Sequence, residues 1–265
     1  MEVSLIGNGY LGQAYEKVFP EALVYDEPKE LYAGQETLEA GRLAVNHTDI
    51  AIVMVPTDYK DGELDTSIVE GIVDWLETPT ILIKSALQPG TTDRLIEKTG
   101  KNIAVSVEYI GESNYWQPPH RYPHPQDPRQ HQLLVVGGAE PARTTSAEVL
   151  WEKMSPDIRI HLVTALEAEI TKLAENTYGA MKVTWANVLR DICEEYGANF
   201  IQVHQAWSED GRVDPMHTRS VEHKRGWKSK CYDKDTAAFA NISGSMMLRG
   251  MIKDNERHLG LNDPS

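Results

Sequence analysis

Several side chains in this sequence of 265 residues are of types that carry out chemistry. Cys231 lies among Lys228, Lys230 and Lys234. Because nearby positive charges favour a thiolate, we expect a lowered pKa and a nucleophilic sulfur at this position. Cys193 lies in a stretch with helical apolar periodicity and is predicted to be a small buried residue. Two cysteines are too few for a disulfide framework, which favours a reducing, cytoplasmic location.

A second candidate is a pair of hydrogen-bond donors, Lys172 and Asn176. Because they stand four residues apart in a predicted helix, their side chains project from the same face. Such a pair could stabilise an alkoxide or a tetrahedral oxyanion. The same spacing is also typical of a solvated helix surface, which is the interpretation that spacing alone favours.

A third candidate is the glycine turn, residues 7–12, which reads G-x-G-x-x-G between a predicted strand and a predicted helix. Gly7 allows the tight turn, Gly9 lets the backbone approach a pyrophosphate, and Gly12 lets helix and strand pack closely. Asp26 ends the second predicted strand, where a carboxylate accepts the ribose hydroxyls. Together with Glu27 it would repel a 2′-phosphate, so the pattern predicts NAD as the cofactor, in preference to NADP.

The elements that must position these residues follow from the apolar pattern. Near-continuous apolar runs separated by helical patterns predict a parallel sheet buried on both faces. The predicted fold class is α/β, with a Rossmann-like doubly wound parallel sheet followed by a long helix and an all-α domain. The predicted strands are Val3–Ile6, Ala22–Tyr25, Ile50–Val55, Thr80–Ile83, Ile103–Val107, Leu133–Val136 and Ile158–Leu162.

The second part of the chain has a helical pattern. Apolar residues recur at helical spacing over Ala165–Tyr196, and further helices are predicted over Phe200–Trp207 and Lys234–Leu259. We therefore expect a nucleotide-binding domain over residues 1–163 and an all-α domain over residues 164–265. A helix as long as the first is typical of a domain boundary or an oligomer interface.

The charge balance excludes several classes of partner. Lys and Arg total 26 against 40 Asp and Glu, a net charge of −14. Phosphate backbones and anionic lipids repel such a protein, so we predict no binding to nucleic acid or membrane. The sequence has no uncharged apolar run long enough for a transmembrane helix, and its first residues predict a strand where an export signal would stand. The exception to the acidic character is the basic segment, His217–Lys230.

A proline-rich stretch, Tyr115–Gln132, is interpreted as a stiffened loop. It contains His120 and His124, which would share a helix face, but Pro123 between them disfavours a helix. We therefore predict no metal site.

Read together, six segments resemble, in order, motifs of the UDP-glucose and GDP-mannose 6-dehydrogenase family. The glycine turn resembles the family's G-x-G-Y-x-G. The other five resemble V-P-T, K-S-T-V-x-P-G-T, P-E-F-L-x-E, E-x-x-K-x-x-x-N and C-x-P-K-D-T. In this sequence they are Val55–Thr57, Ile83–Thr92, Glu108–Glu112, Glu169–Asn176 and Cys231–Thr236.

The resemblance implies an enzyme that oxidises a sugar primary alcohol to a carboxylate with two NAD molecules, without releasing the aldehyde. It implies that Cys231 forms a thiohemiacetal and then a thioester. It also implies that Lys172 and Asn176 stabilise oxyanions at the reacting carbon.

Supporting roles follow from the same resemblance. Glu112 and Asp235 would transfer protons and activate water, and Glu108 would support the site from a strand end. Arg212 would reach the substrate of a neighbouring subunit, which makes a homodimer through the long helix the expected assembly. The expected cofactor contacts are Gly7, Gly9, Tyr10, Leu11, Gly12, Asp26, Pro56, Thr57, Ser85 and Lys234.

Three departures from the family pattern change the expected substrate. The family's water-positioning threonine is Ala86 here, and the glycine-rich stretch before the cysteine keeps only Gly226. The sequence stops at Ser265, where the family continues into a third domain for the nucleotide. We therefore expect a smaller or differently held anionic sugar-type substrate, such as a sugar phosphate, bound by Lys228 and Lys230.

Three alternatives stay open. The basic segment could be a solvated loop that balances the acidic surface. The chain could bind a nucleotide or sugar without catalysis and act through an interface. It could also be a two-electron dehydrogenase like the β-hydroxyacid enzymes, which use a Rossmann domain, a long helix and a lysine–asparagine pair but need no cysteine.

Overall fold

The computed structural model describes residues 1–111 and 127–262, which form two compact units. The first unit comprises Met1–Asp58 and Leu64–Lys172, and the second comprises Tyr59–Glu63 and the residues from Leu173 onward. Across the described ranges, none of the helices combines the length and apolarity needed to cross a membrane.

A mainly parallel sheet forms the centre of the first unit. The strands, in chain order, are β1 (Val3–Ile6), β2 (Leu23–Asp26), β3 (Leu31–Tyr32), β4 (Ile50–Val53), β5 (Tyr59–Lys60), β6 (Glu63–Leu64), β7 (Thr80–Ile83), β8 (Ile103–Ser106), β9 (Leu133–Gly138) and β10 (Arg159–Val163). The sheet has the order β10-β9-β8-β7-β4-β1-β2-β3, and β5 pairs with β6 alone.

The seven predicted strands are all present, and the predicted α/β class is confirmed. Neighbouring strands of the sheet are parallel except β2 with β3 and β8 with β9. The sheet is therefore mainly parallel, as predicted, and these two pairs are the exceptions. In the case of β3, the short connection from β2 returns the chain at once and can only give an antiparallel neighbour.

Helices cover both faces of this sheet, as a doubly wound fold requires. They are α1 (Tyr10–Glu16), α2 (Leu38–Asn46), α3 (Ser67–Trp75), α4 (Thr91–Thr99) and α5 (Ala142–Trp151). Adjacent strand residues enter different cores: Leu5 packs in the cluster with Tyr15 and Leu150, whereas Ile6 packs with Val69 and Leu95. Burial on both faces is why these strands appear in the sequence as continuous apolar runs.

The second unit is built mainly from helices. They are α6 (Ala165–Glu195), which begins in the first unit, α7 (Phe200–Ser208), α8 (Lys230–Ser243) and α9 (Met246–Gly260). The predicted long helix is confirmed, and Gly197 follows it at a φ of +67°. The helical prediction over Lys234–Leu259 is confirmed, but the stretch is divided into two helices, because Gly244, at a φ of +60°, ends α8 and separates it from α9. The predicted domain boundary after residue 163 and the homodimer stay predictions.

Candidate functional site

The three glycines of the glycine turn meet three different constraints. Gly7 has a φ of +93°, and a Cβ there would collide with the Met54 carbonyl oxygen. A Cβ on Gly12 would collide with the Gly7 carbonyl oxygen. A Cβ on Gly9, the N-cap of α1, would meet nothing within 4 Å. Gly7 and Gly12 thus close the turn, whereas Gly9 leaves the amino terminus of the helix open, as a pyrophosphate requires.

Asp26 connects the second strand to this turn. Its Oδ2 accepts a 2.6 Å hydrogen bond from the Asn8 N–H, and its Oδ1 accepts a 3.1 Å bond from the Lys29 N–H. The Lys29 ammonium also donates to the Asn8 carbonyl oxygen, a contact that sequence reasoning missed. Each Asp26 oxygen has further acceptor capacity for the expected ribose hydroxyls. Glu27 pairs with Arg42 at 3.2 Å, so the expected repulsion of a 2′-phosphate depends mainly on Asp26.

Two more predicted cofactor segments meet beyond the carboxyl ends of β4 and β7. The Ser85 hydroxyl accepts a 3.0 Å bond from the Val55 N–H and lies 2.7 Å from the Val55 carbonyl oxygen, to which it donates. The Thr57 hydroxyl donates to the Ala86 carbonyl oxygen at 2.7 Å. Pro56 between them is exposed. Ser85 and Thr57 therefore hold the two loops together, while Pro56 faces solvent.

The glycine turn and Lys172 lie at the same edge of the sheet. The Lys172 ammonium donates to the Glu108 carbonyl oxygen, just beyond β8. The Tyr10 hydroxyl, in the first turn of α1, donates to the Gly111 carbonyl oxygen in the same segment. Leu11 beside it is partly buried against the core. Because β1, β4, β7 and β8 are parallel, their carboxyl ends share this edge, where open α/β sheets bind ligands.

The Glu108 carboxylate is engaged within the protein. Its Oε2 lies 3.1 Å from Lys84 Nζ, and the two side chains are 9% and 1% exposed. Its Oε1 accepts 2.8 Å bonds from the Tyr109 and Ile110 N–H groups. Lys84 also donates to the Ser106 hydroxyl oxygen at 3.1 Å. This arrangement fixes the strand end that receives Lys172.

Burial and charge act in opposite directions in this cluster. Burial raises the pKa of the Glu108 carboxyl, but Lys84, His131 and the Ile110 N–H outweigh it and hold that pKa below its ordinary value. Burial lowers the pKa of the Lys84 ammonium and of the His131 imidazole. The His131 ring packs edge-on against Tyr109 at 5.9 Å. Neither Lys84 nor His131 was predicted to belong to the site, although Lys84 lies inside a quoted motif.

Cys231 lies in the first turn of α8, which begins four residues earlier than predicted. Ser229 is the N-cap, and its hydroxyl accepts a 3.0 Å bond from the Tyr232 N–H. The Asp233 carboxylate accepts a 3.2 Å bond from the Ser229 N–H. The two side chains thus form a reciprocal pair of hydrogen bonds to the backbone of the first turn, as in a capping box. Cys231 is half-buried, whereas Cys193 is 3% exposed, as predicted, and the two form no disulfide.

Asn176 and Asp235 lie together in the second unit. The Asn176 Nδ2 donates to Asp235 Oδ2 at 2.5 Å, and Lys234 Nζ lies 2.6 Å from Asp235 Oδ1. Asp235 itself is 1% exposed. The carboxylate therefore orients both the asparagine amide and the lysine.

The basic segment does not form one uniform charged surface. Arg225 is 7% exposed and binds Asp191 of α6, so its charge is neutralised inside the unit. Lys228 and Lys230 are exposed on either side of the N-cap of α8. Of the segment's cations, these two lie closest in sequence to Cys231, which leaves them as candidates for contact with an anion.

Two predicted sites remain. Arg212 is exposed in the turn after α7, and its guanidinium pairs with the Asp210 carboxylate at 2.6 Å. Its expected reach to a neighbouring subunit stays a prediction. Glu112 lies outside the described residues, as do His120 and His124.

Comparison with known proteins shows which family this chain resembles. Residues 166–255 match the central domain of the UDP-glucose/GDP-mannose dehydrogenase family. Over these residues the chain is similar to the UDP-glucose/GDP-mannose dehydrogenases. This confirms the resemblance inferred from the six motifs. The matched part of the family's central domain contains Lys172, Asn176, Cys231 and Asp235.

Comparison with individual proteins shows the same similarity. A UDP-glucose 6-dehydrogenase of Rhizobium meliloti is 27% identical over 92% of this chain and 63% of that protein. The chain spans between 48% and 64% of the length of four curated UDP-glucose 6-dehydrogenases that it matches.

Solved structures show the same fold. A UDP-glucose dehydrogenase from the hyperthermophilic archaeon Pyrobaculum islandicum gives a TM-score of 0.77 at 22% identity, over 97% of this chain and 68% of that one. A 3-hydroxyisobutyrate dehydrogenase from Mycobacterium tuberculosis gives 0.64 at 15% identity, over 98% and 96%. At such identities the likeness is one of fold.

Proposed function

We propose that this chain is an NAD-dependent dehydrogenase that oxidises the primary alcohol of an anionic sugar-type substrate, a nucleotide sugar or a sugar phosphate, to the carboxylate. One observation carries the proposal: the Lys172 ammonium reaches the end of β8, at the sheet edge that also holds the glycine turn. A cationic donor thus lies where a bound dinucleotide and its substrate are expected. The family relationship supports the same reaction class.

The residues of the first unit fit NAD, which when bound supplies the acceptor for the hydride. The open N-cap at Gly9 accommodates the pyrophosphate, and Asp26 accepts the ribose hydroxyls. Glu108 acts as a positioning residue, because its carboxylate is held by Lys84 while its carbonyl oxygen holds Lys172.

Cys231 is the proposed nucleophile. Loss of a hydride and a proton from the alcohol, with bound NAD as the hydride acceptor, would give the aldehyde. The Cys231 sulfur would bond to its carbonyl carbon while the thiol proton passes to the carbonyl oxygen, which gives a thiohemiacetal. Loss of that proton and of a second hydride, for which a second NAD would be the acceptor, would leave a thioester. Lys172 uses one of its three ammonium protons on Glu108, and Asn176 uses one amide proton on Asp235. The other protons are suited to donate to the substrate oxygen as it becomes negative. Water would then cleave the carbon–sulfur bond, releasing the carboxylate and restoring the thiol, with Asp235 as the proton acceptor.

A turnover assay tests this proposal. NADH and acid are measured with UDP-glucose, UDP-N-acetylmannosamine, glucose 1-phosphate and the neutral methyl glucoside, and we expect two NADH per acid from an anionic substrate. Cys231→Ser should lower acid formation about a thousandfold or more, since it removes the nucleophile. Cys193→Ser is the matched control and should retain turnover, because that sulfur is buried in α6.

Two outcomes would contradict the proposal. Full turnover of Cys231→Ser with one NADH per substrate would favour a two-electron dehydrogenase of the β-hydroxyacid type. Equal turnover of the neutral glucoside would remove Lys228 and Lys230 from substrate binding.

A further inference from the structure

The segment that leads into Cys231 is bracketed by two asparagine side chains. Asn255, on α9, accepts a 2.7 Å hydrogen bond from the Trp227 N–H on Oδ1 and donates a 2.9 Å bond from Nδ2 to the Trp227 carbonyl oxygen. Asn262, just past α9, does the same to Arg225, at 2.6 and 2.8 Å. Each amide thus satisfies both backbone groups of one residue, as a neighbouring strand would. We call this arrangement of Asn255, Asn262 and residues 225–227 the asparagine clip.

The residue between the two bracketed positions fits only as glycine. Gly226 has a φ of +76°, and a Cβ there would lie 2.8 Å from Asn255 Oδ1 and 3.1 Å from Leu259 Cγ. The backbone therefore lies directly against α9, with no room for a side chain between them. A buried backbone with both polar groups paired has a defined path.

The Trp227 side chain connects the asparagine clip to the first turn of α8. It is 7% exposed, and its indole N–H donates to the Thr184 hydroxyl oxygen of α6 at 2.9 Å. Its ring meets Tyr232 edge-on at 6.4 Å. Tyr232 in turn packs its hydroxyl where a Cβ of Gly179 would stand. Cys231 therefore lies between two packed aromatic residues. Tyr232 follows it directly, and Trp227, whose backbone Asn255 holds, precedes it by four residues.

We propose that Asn255 is a positioning residue for the nucleophile, which fixes the start of α8 by holding the backbone of Trp227. This inference rests on the proposed role of Cys231. It also accounts for a departure seen in the sequence, where the stretch before the cysteine keeps only Gly226. The asparagine clip supplies backbone order from α9, so that Lys228 and Lys230 can face solvent.

The variant Asn255→Asp tests this role. It keeps the size of the side chain but replaces the donor to the Trp227 carbonyl oxygen by an acceptor, so the two oxygens repel. We expect hydrogen exchange of peptides covering residues 225–234 to accelerate about tenfold or more. With UDP-glucose as the probe, kcat should fall about tenfold. KM for NAD should change less than kcat, because among the expected NAD contacts Gly9 and Asp26 belong to the first unit and Lys234 alone lies in this segment.

Two further variants separate positioning from general destabilisation. Asn199→Ala removes the N-cap of α7, which accepts bonds of 2.9 and 3.2 Å from the Ile201 and Gln202 N–H groups, and should lower Tm without changing exchange over residues 225–234 or kcat. Thr184→Val removes the partner of the Trp227 indole and should act in the same direction as Asn255→Asp. It also serves as the test if Asn255→Asp does not fold.

Unchanged exchange over residues 225–234 in Asn255→Asp would overturn the proposal. So would faster exchange together with an unchanged kcat. If the wild-type protein turns over none of the substrates named above, the proposed function fails by itself. In that case hydrogen exchange over residues 225–234 alone decides whether Asn255 orders the segment. If exchange there is no faster in Asn255→Asp than in Asn199→Ala, the role of Asn255 is overturned.

Discussion

The glycine turn separates a folding requirement from a binding requirement at the scale of single residues. A methyl group on Gly12 would meet the Gly7 carbonyl oxygen, so Gly12→Ala should destabilise the protein by about 2 kcal/mol or more and lower Tm by several degrees. A methyl group on Gly9 meets no protein atom within 4 Å. Gly9→Ala should therefore keep the wild-type Tm and weaken NAD binding about tenfold, because the methyl enters the space expected for the pyrophosphate.

Thermal unfolding and titration with NAD measure the two effects separately. Each variant is the control for the other, since the substitution is the same and the positions are three residues apart. A lowered Tm in Gly9→Ala, or wild-type NAD affinity in that variant, would contradict this assignment of roles.

What could be predicted at this scale depends on how local the signal is. The glycines and Asp26 could be assigned from the sequence because their roles follow from a short pattern placed between a strand and a helix. The partners of Trp227 could not, because Asn255 follows it by 28 residues and the contact exists only after α9 has packed. For Lys84, the motif that contains it could be recognised in the sequence. Its pairing with Glu108 could not be predicted, because it depends on β7 and β8 being neighbours in the sheet.

The start of α8 shows a similar limit at the scale of elements. Apolar periodicity placed the beginning of the helix at Lys234, but the structure begins it at Lys230. The first turn is polar and carries no periodic signal. Its signals are local: Ser229 accepts from the helix backbone, and Asp233 accepts from the Ser229 N–H. A search for capping residues would have placed Cys231 inside the helix.

Helices α6 and α9 are linked through Asp191, and this link should depend on pH. Burial raises the pKa of the Asp191 carboxyl, but hydrogen bonds from His258, Arg225 and Arg257 outweigh it and lower the pKa to about 2. The ordinary value is 3.8, so the carboxylate contributes stability that is fully present above about pH 4 to 5 and is lost as the pH falls towards 2. This shift corresponds to about 2 kcal/mol.

Urea unfolding at fixed pH values between 2 and 6 measures that contribution. The variant Asp191→Asn should be less stable at pH 6, since it removes the nearer of the two carboxylates that pair with the buried Arg225. Its free energy of unfolding should fall about 2 kcal/mol less than that of the wild type between pH 5 and pH 2. A variant with the wild-type pH dependence would contradict the assignment of that acid sensitivity to Asp191.

At the scale of the whole molecule, one face of α6 predicts the assembly. Tyr178, Trp185 and Ile192 recur every seven residues and therefore share a face, and each is about half exposed, at 51%, 49% and 46%. A stripe of large apolar side chains on an otherwise acidic protein is typical of an interface between copies. Trp185→Lys should convert the expected dimer into a monomer, because it places a charge in the centre of the stripe.

Sedimentation equilibrium over a range of concentrations tests the assembly. Leu43→Lys is the matched control, since Leu43 is 61% exposed on α2 and lies outside the stripe, and it should leave the dimer intact. A monomeric wild-type protein, or a Trp185→Lys variant with the wild-type mass, would contradict the predicted role of α6.

The α/β class could be predicted because most strands of the sheet are covered by helices on both faces, which leaves long apolar runs in the sequence. The two antiparallel pairs could not, because a strand buried on both faces has the same apolar run whichever way its neighbour points, and β3 has only two residues and gives no run at all.

The unequal burial of the two sulfurs has a practical consequence. Cys193 is enclosed in the core, whereas Cys231 is half-buried in the first turn of a helix. A maleimide dye added to the native protein would therefore attach at one known position without any engineering. Its emission would then report when a ligand arrives beside that turn, and an electrophilic fragment screen would read out the same position by mass.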